Sequence, residues 1–266
     1  MVKIYSCFPN GANKVLTMSY DDGKQEDRRL IEIFNRYKIK GTFHLNYGLM
    51  HQDIRIDSNE IKELYQGHEV AAHTMTHPTI ARIPSTMMVN EILKDREGLE
   101  SLVGYPVRGL SYPNGSYDEK LKALLPGLGI RYSRIVGNSE NYDMPSDPYE
   151  WKATCHHNHK LMELGNSFIE TKKSQYLYMM YVWGHSYEFT RDNNWELIEE
   201  FCQMVSNQPD IWYATNIEIM DYLDAANRLQ FSAACDMVHN PSAMSVWITV
   251  YDIPLEIRGG ETKHLI

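Results

Sequence analysis

The chain alternates short apolar segments with amphipathic segments, and this alternation constrains its fold more than any other feature. Residues 15–19, 42–45 and 107–112 have the apolar and β-branched character of strands. Between them lie segments such as residues 28–37, whose apolar side chains recur on one helical face. Repeated strand–helix units favour a mainly parallel sheet. The number of repeats predicts an α/β protein built as a (β/α) barrel.

The remaining segments continue the same alternation up to about residue 226. We predict further strands at residues 69–73, 130–136, 176–183 and 211–214, and helices at 59–65, 86–102, 119–125, 195–205 and 217–226. Residues 137–170 are less regular, and we predict a long loop with short pieces of strand. Loops of this length inside a compact domain are usually functional.

The last forty or so residues change character. Asn240-Pro241-Ser242 and residues 258–261 are typical of turns, and residues 245–251 are β-branched and aromatic. We therefore predict two parts: a barrel over residues 1–228 and a small antiparallel β extension over residues 229–266.

Composition limits the class of partner. The chain has 266 residues and a net charge of -9, without a basic stripe, which argues against nucleic acid. It has no apolar run of the ~20 residues that a membrane span needs and no visible signal peptide. Its four cysteines include no C-x-x-C pair, so free thiols in a reducing compartment are expected. The expected location is cytoplasmic, without membrane or nucleic-acid partners.

Two adjacent carboxylates, Asp21 and Asp22, follow the first strong strand and precede Gly23. Buried carboxylates are costly without partners. A metal ion would supply one, with one aspartate as ligand and the other free as a base. A solvated turn is the alternative, because Asp-Asp-Gly is also common in turns.

A pair of histidines, His73 and His77, stands four residues apart and directly before Pro78. On a continued strand the two rings would lie about 13 Å apart, too far for one ion. We therefore predict that the chain turns after His73 and brings His77 back. Neutral imidazole is a common zinc ligand, although two surface histidines are the alternative. Two histidines and one aspartate would form a three-ligand set with open positions, as in catalytic zinc sites.

A third histidine, His185, follows the most apolar late strand, at residues 176–183. A histidine at the end of a strand is well placed for proton transfer. The alternative is a histidine packed beneath the neighbouring aromatic residues.

Taken together, these motifs resemble those of the polysaccharide deacetylases, the NodB-homology group or carbohydrate esterase family four. Thr17 to Gly23 resembles the first motif, and residues 73–78 match the second, H-[ST]-x-x-H-P, at every defined position. Tyr112-Pro113-Asn114-Gly115 resembles the third motif and Gly184-His185 the fifth, in the family's order. The resemblance spans roughly residues 15 to 190. It implies a distorted (β/α) barrel and metal-dependent removal of N- or O-acetyl groups from sugars.

The resemblance also implies roles for individual residues. Asp21 would be the general base that activates a metal-bound water, and His185 the general acid. The ion would be held by Asp22, His73 and His77. Zinc is the expected ion, with cobalt or nickel as alternatives.

The third motif departs from the family pattern. Ser111 stands where the family has an arginine that orients the base, and Asn114 replaces an aromatic residue. A backbone N–H near Asn114 is expected to hold the oxyanion. Arg108 and Arg134 are the candidates to replace the missing arginine beside Asp21.

The fourth motif, usually an Asp-Trp pair, has no clear counterpart. Asp143, Asp147 and Trp151 are candidates for it. We predict that Trp151, His157 and Tyr112 line or support the substrate site, while a solvated polar loop is the alternative for the two histidines at 156 and 157.

Four functions remain open at the level of the sequence. The first is a deacetylase acting on a polysaccharide or a smaller acetylated sugar. The second is a hydrolase of a non-peptide C–N bond in a small molecule, which a closed pocket would favour over an open groove. The third is a non-catalytic carbohydrate-binding relative, against which the retained aspartates and histidines argue. The fourth is a non-haem iron oxygenase, which has a similar ligand set.

Overall fold

A computed structural model describes residues 3–265 of the chain. The strands are β1 (Ile4–Cys7), β2 (Lys14–Asp21), β3 (Gly41–Leu45), β4 (Glu69–Ala72), β5 (Gly109–Ser111), β6 (Tyr132–Ile135), β7 (Trp151–Lys152), β8 (Cys155–His156), β9 (Tyr178–Gly184), β10 (Ile211–Tyr213), β11 (Gln230–Phe231), β12 (Met237–His239), β13 (Val246–Val250), β14 (Ile253–Ile257) and β15 (Thr262–His264). The helices are α1 (Asp27–Arg36), α2 (Ile61–Leu64), α3 (Ser85–Val103), α4 (Glu119–Leu124), α5 (Leu161–Glu170), α6 (Ser186–Arg191), α7 (Trp195–Val205) and α8 (Asn216–Ala226).

Within the described residues, strands β2 to β10 form one curled sheet whose neighbouring strands are all parallel. Its order is β7-β6-β5-β4-β3-β2-β9-β8, and β10 pairs with the start of β2. The segment from β7 to β8 pairs with β6 at one end and with β9 at the other. It therefore connects the two ends of the sheet. This arrangement confirms the predicted distorted (β/α) barrel.

The central strand β2 is buried along its whole length, as expected for a parallel strand covered on both faces. Helix α1 packs on it because its apolar residues lie on one face. Phe34 of this helix contacts Tyr20 of β2 and Phe43 of β3, with ring centroids 5.8 and 6.3 Å apart. Each such buried aromatic side chain contributes about 1.5–3 kcal/mol. The carboxyl end of β2 is thus fixed in a rigid core.

The predicted C-terminal antiparallel strands are present. They form two small sheets, β1-β13-β14 and β11-β12-β15. The N-terminal strand β1 pairs with β13, which the sequence did not predict because the partners are far apart in the chain. The predicted boundary between residues 228 and 229 is not tested by these pairings and stays a prediction.

One predicted element is wrong. Residues 137–170 were expected to be a loop with short strands, and β7 and β8 are such strands, but Leu161–Glu170 is a helix. Leu161, Leu164 and Phe168 are buried on one face of that helix. Gly165 lies close to Phe201 of α7, so the two helices pack tightly. The polar residues before this helix made the helical spacing of its apolar residues hard to recognise in the sequence.

The described residues include no helix with both the length and the apolarity of a membrane crossing. Within the same residues the cysteines are unpaired, with Cys7, Cys155 and Cys202 buried and Cys235 exposed. The predicted free thiols agree with this.

A buried carboxyl of α3, Asp95, fixes the chain where strands β3 and β4 end. Its Oδ1 accepts a hydrogen bond from the amide of Tyr47 at 2.6 Å, and its Oδ2 accepts one from the amide of His73 at 3.0 Å. Burial raises the pKa of Asp95 to about 8 although these amides oppose the shift. The amide of His73 also donates to the carbonyl of Leu45 at 2.9 Å. The amide of Tyr47 therefore depends more strongly on Asp95 as its acceptor.

We predict that Asp95→Ala lowers the free energy of unfolding by about 1–3 kcal/mol, because it leaves the amide of Tyr47 without its acceptor. Urea unfolding of the purified chain measures this difference. Glu97→Ala is the matched control, since Glu97 is an exposed acidic residue of the same helix, and it should stay within about 0.5 kcal/mol of the wild type. Equal stabilities of the two variants would contradict the anchoring role.

Candidate active site

Polar side chains from five strands converge at one edge of the barrel. In a (β/α) barrel the carboxyl ends of the strands face the same side, where functional residues collect. The residues concerned are Asp21 at the end of β2, His73 after β4, Ser111 at the end of β5, Arg134 in β6 and His185 after β9.

Three of the predicted residues, Asp22, His73 and His77, form a compact donor set. Each offers one ligand atom, and these atoms lie within 4.8 Å of one another. Nε2 of His77 is 4.0 Å from Oδ1 of Asp22, and the two imidazole centroids are 4.7 Å apart. The chain turns after His73, as predicted, through a positive φ of 67° at Thr74. The turn brings together two rings that a continued strand would separate.

Two of these three residues have unusual backbone conformations. Asp22 has a φ of 84° and His77 a φ of 57°, values that residues other than glycine rarely adopt. Neighbouring hydrogen bonds hold both segments: the amide of Asp22 donates to the carbonyl of His44 at 2.9 Å, and Thr76 bonds to Glu91 through its amide at 2.8 Å. Such strain persists where the surrounding structure imposes it, and it is frequent at functional sites.

Ser111 fixes the tautomer of His73. Nδ1 of His73 lies 2.9 Å from the carbonyl oxygen of Ser111. Because a carbonyl only accepts, Nδ1 carries the proton and Nε2 keeps its lone pair for a ligand. Burial lowers the pKa of His73 to about 4, so the ring is neutral at neutral pH. The Ser111 hydroxyl is 2.6 Å from the same nitrogen and donates to Oδ1 of Asp21 at 3.0 Å.

Asp21 forms a buried ion pair with Arg134, whose Nη2 donates to Oδ2 of Asp21. Both side chains are almost fully buried, at 3% and 1% exposure. Burial by itself would raise the pKa of Asp21, but Arg134, followed by His73 and His44, holds it well below its usual range. Asp21 is therefore a carboxylate at neutral pH. The guanidinium of Arg134 also lies over the indole of Trp183, 4.6 Å from its ring centroid.

Of the two arginines considered for the position beside Asp21, only Arg134 reaches it. Arg108 instead forms two hydrogen bonds with Asp221, at 2.8 and 2.7 Å. Arg134 and Ser111 are direct neighbours in the register of β6 and β5. The guanidinium beside Asp21 thus comes from the strand adjacent to the third motif.

His185 stands at the start of α6, beside a carboxylate that the sequence did not single out. Its Nδ1 is 3.5 Å from Oε2 of Glu188, and its backbone amide donates to the same oxygen at 3.3 Å. Burial would lower the pKa of His185, but Glu188, Asp21 and Asp22 raise it above its usual value. The spacing of three residues at a helix start was the available signal for Glu188, since residues three apart face each other there.

Three residues predicted to line or support the substrate site have buried side chains. Trp151 stacks on Tyr132 with ring centroids 5.0 Å apart, and His157 stacks on Phe189 at 4.1 Å. The hydroxyl of Tyr112 donates to a backbone carbonyl at 3.0 Å. Buried side chains do not line a cavity, so the supporting role is what stays a prediction for Trp151, His157 and Tyr112. The segment from β7 to β8 is part of the barrel wall.

Asn114 lies in a tight turn with a φ of 56°. Its backbone amide is not the donor of a hydrogen bond to any described residue. The candidates for a fourth motif lie apart from His185: Asp147 pairs with Lys122 at 2.9 Å, and Asp143 is exposed. Within residues 3–265 neither carboxylate has an ion pair with His185.

A cavity of about 370 Å³ adjoins Asp22 and is lined by Lys24, Gln25, Ile54 and Tyr187, among others. Its volume lies in the range of about 300–1,000 Å³ typical of small-molecule sites. Arg55, which the sequence did not single out, donates to the carbonyl of Asp22 and has Nη2 3.7 Å from Oδ1 of that residue. Arg55 thus orients the backbone at the donor set.

Comparison with known proteins agrees with this architecture. The polysaccharide deacetylase family model matches residues 9–133. A peptidoglycan-N-acetylglucosamine deacetylase of Bacillus cereus is 26% identical over 156 residues, which cover 58% of this chain and 52% of that protein.

Two solved structures share the fold. One is the Xyl-CE4 domain of a multidomain xylanase from the hindgut metagenome of Trinervitermes trinervoides, with a TM-score of 0.55, 16% identity, and coverage of 80% of this chain and 92% of that one. The other is a CE4 family pseudoenzyme from Bacillus anthracis, with a TM-score of 0.52, 17% identity, and coverage of 82% and 68%. At such identities the likeness concerns the fold alone.

The predicted resemblance to the polysaccharide deacetylases is confirmed over residues 9–133. The match over residues 9–133 includes the first, second and third motifs. The chain spans about half or less of the length of the curated relatives that it matches.

We predict that Arg134→Met lowers the free energy of unfolding by about 3–5 kcal/mol, because it leaves the buried Asp21 carboxylate without its cationic partner. Chemical denaturation measures the loss. Arg131→Met, which breaks the exposed pair between Arg131 and Asp224, is the control and should cost at most about 1 kcal/mol. Adding Asp21→Asn to Arg134→Met should recover part of the stability. If Arg134→Met were as stable as the control, the buried pair would be disproved.

Proposed function

We propose that this chain is a metal-dependent deacetylase that removes N- or O-acetyl groups from a carbohydrate. The observation that carries the proposal is the placement of a further carboxylate, Asp21, directly beside a donor set of two imidazoles and one carboxylate. Oδ2 of Asp21 is 3.9 Å from Nε2 of His73. The confirmed resemblance to polysaccharide deacetylases supports the same chemistry.

The donor set fits a divalent ion. Asp22, His73 and His77 would hold it, in the combination of two nitrogens and one carboxylate oxygen that catalytic zinc sites use. The hydrogen bond from Nδ1 of His73 to Ser111 supports this role, because it leaves Nε2 free. Zinc is the proposed ion, with cobalt or nickel as alternatives. When bound, such an ion polarises the acetyl carbonyl and makes a water more acidic.

Asp21 is the proposed general base. Its carboxylate would accept a proton from the attacking water while the water oxygen bonds to the acetyl carbon. Arg134 and Ser111 each hold one of its oxygens, so the carboxylate cannot rotate freely. Arg134 would in this way fill the positioning role of the arginine that Ser111 replaces.

His185 is the proposed general acid. It would donate its proton to the nitrogen or oxygen of the sugar as the bond to the acetyl carbon breaks and acetate leaves. Glu188 supports the protonated form of His185 and orients its ring. The backbone amide of Asn114 has no acceptor among the described residues and is the proposed donor to the developing oxyanion.

The cavity beside Asp22 supports a sugar as the substrate. Tyr187 provides an aromatic surface and Lys24 and Gln25 provide hydrogen-bond donors, a mixture suited to hydroxyl-rich ligands. One relative is a peptidoglycan-N-acetylglucosamine deacetylase of Bacillus cereus. N-acetylated amino sugars are therefore the first substrates to test.

We predict that the zinc-loaded chain releases acetate from at least one member of a panel containing N-acetylated amino-sugar oligomers, O-acetylated xylan fragments and acetylated monosaccharides. Asp21→Asn should lower this release about 100-fold while zinc stays bound, because it removes the base. Since the variant also loses the charge that pairs with Arg134, circular dichroism must show that it is folded. Asp22→Asn should lower both zinc content and release. Acetate is measured enzymatically and zinc by elemental analysis.

Three outcomes would oppose the proposal. Zinc binding without release from any substrate of the panel would favour a non-catalytic carbohydrate-binding relative. Unchanged release from Asp21→Asn would exclude this residue as the base. Hydrolysis of small C–N compounds, with no acetylated sugar accepted, would favour the alternative hydrolase.

We predict that activity falls as pH rises through the pKa of His185, because this acid must be protonated and its pKa in the folded chain is raised above the usual value of a histidine. The carboxylates that raise it are Glu188 on its own helix and Asp21 and Asp22 at the end of β2, while the His156 ring of β8 lies 6.5 Å away. Glu188→Gln should therefore shift the fall in activity to lower pH. The profile of kcat against pH measures the shift.

Glu196→Gln is the control for that profile, because Glu196 is an exposed residue at the start of α7. It should leave the pH dependence unchanged. An unshifted profile for Glu188→Gln would show that His185 is not the titrating acid or that Glu188 is not its partner.

A further inference from the structure

We propose that Asn46 is a positioning residue for the divalent ion, and that it acts with Arg55 as a clasp across the donor set. The clasp joins the backbone at Asp22 to the backbone at His73. This inference rests on the proposed binding of an ion by Asp22, His73 and His77. It adds that the affinity for this ion depends on two side chains that are not among its ligands.

The strand order explains why one residue reaches both halves of the donor set. Strand β3 lies between β2 and β4 in the sheet. Asp22 follows β2, His73 follows β4, and Asn46 directly follows β3. The carboxyl ends of parallel strands face the same side of the barrel. The side chain of Asn46, with an exposure of 1%, is therefore buried between the two segments that carry the ligands.

The carboxamide of Asn46 forms hydrogen bonds in both directions. Its Nδ2 donates to the carbonyl oxygens of His73 and Thr74, at 2.5 and 2.8 Å. Its Oδ1 accepts a hydrogen bond from Nη1 of Arg55 at 3.0 Å. The same Nη1 also donates to the carbonyl of Asp22. These hydrogen bonds form a continuous path from Asp22 to the turn that carries His73.

An amide side chain satisfies all these partners at once. Backbone carbonyls accept hydrogen bonds and a guanidinium donates them, so this position needs one acceptor and two donor hydrogens on a short side chain. Asparagine provides this combination, and its partners fix which end of the amide faces each of them. An aspartate would instead place an oxygen against the carbonyls of His73 and Thr74. The hydrogen-bonding partners of Asn46 thus account for the residue type.

The clasp holds backbone that is in an unusual conformation. Asp22 has a φ of 84° and Thr74 a φ of 67°, in the region that favours glycine. Arg55 binds the carbonyl of Asp22, and Asn46 binds the carbonyl of Thr74. Such conformations persist where surrounding groups fix them. Loss of the clasp would release both segments, so that the ligand atoms of Asp22 and His73 would no longer be held at a fixed separation.

Arg55 contributes charge as well as position. Its side chain is buried, and its Nη2 lies 3.7 Å from Oδ1 of Asp22. A cation so close to a ligand oxygen opposes the binding of a second cation. A substitution of Arg55 must therefore keep the charge in order to test the positioning alone. Lysine keeps the charge without the planar guanidinium fork.

The zinc affinity of the full-length chain tests the proposal. We predict that Asn46→Ala and Arg55→Lys each lower the affinity about 10–100-fold, the range typical of residues that orient metal ligands. The double variant should lose less than the product of the two single effects, because either substitution already breaks the path. Competition with a chelating dye measures the affinity. Asn227→Ala is the matched control, since Asn227 is exposed at the end of α8 and should leave the affinity unchanged.

The measurements separate positioning from stability. Circular dichroism shows whether each metal-free variant is folded at the temperature of the titration, and a loss of stability alone then leaves the zinc affinity of the folded chain unchanged. The visible absorption of bound cobalt, which reports its coordination, should change in Asn46→Ala and stay unchanged in Asn227→Ala. If Asn46→Ala does not fold, Arg55→Lys carries the test.

Two results would overturn the proposal in distinguishable ways. Wild-type zinc affinity in either folded variant, Asn46→Ala or Arg55→Lys, would exclude the clasp while leaving the proposed ion site intact. Absence of zinc binding by the wild type would exclude the donor set of the proposed function, and this role of Asn46 with it. Acetate release does not enter the test.

Discussion

The buried ion pair between Asp21 and Arg134 is the interaction on which the candidate site depends. Two charges in a protein interior carry a large desolvation cost, which only close and well-oriented partners offset. Asp21 has such partners on both oxygens, the guanidinium of Arg134 and the hydroxyl of Ser111. Arg134 has fewer hydrogen-bond partners, since its Nε and Nη1 lack acceptors among the described residues. The face of its guanidinium lies over the indole of Trp183. The pair therefore joins β2, β5, β6 and β9 at one point.

From this pair a chain of contacts extends to the metal donor set. Ser111 contacts Asp21 through its hydroxyl and His73 through its hydroxyl and carbonyl. Its small side chain lies between the two and is within hydrogen-bond distance of both. The positive charge comes instead from the register neighbour on β6. The charge beside Asp21 therefore comes from a different strand than the one that ends in the third motif.

The sequence predicted much of the fold because strand–helix alternation is a local property. It also predicted the donor set, since H-[ST]-x-x-H-P and the paired aspartates are contiguous motifs. It failed where the signal was not local. Helix α5 follows a polar run that obscures its apolar face, and β1 pairs with β13 across almost the whole chain. Trp151 and His157 lie in a polar segment that resembles a loop, but pairing with β6 and β9 makes that segment part of the barrel wall.

What the sequence determined by itself is which side chains are candidates for the chemistry. Asp21, Asp22, His73, His77 and His185 are side chains suited to a metal-dependent hydrolase, and short motifs carry them. Only the tertiary structure decided which residues support them. Arg134 rather than Arg108 meets Asp21, Ser111 sets the tautomer of His73, and Glu188 faces three histidines. The first two contacts depend on strand register, which brings Arg134 to Asp21 across 113 positions and Ser111 to His73 across 38, and no local pattern encodes such distances.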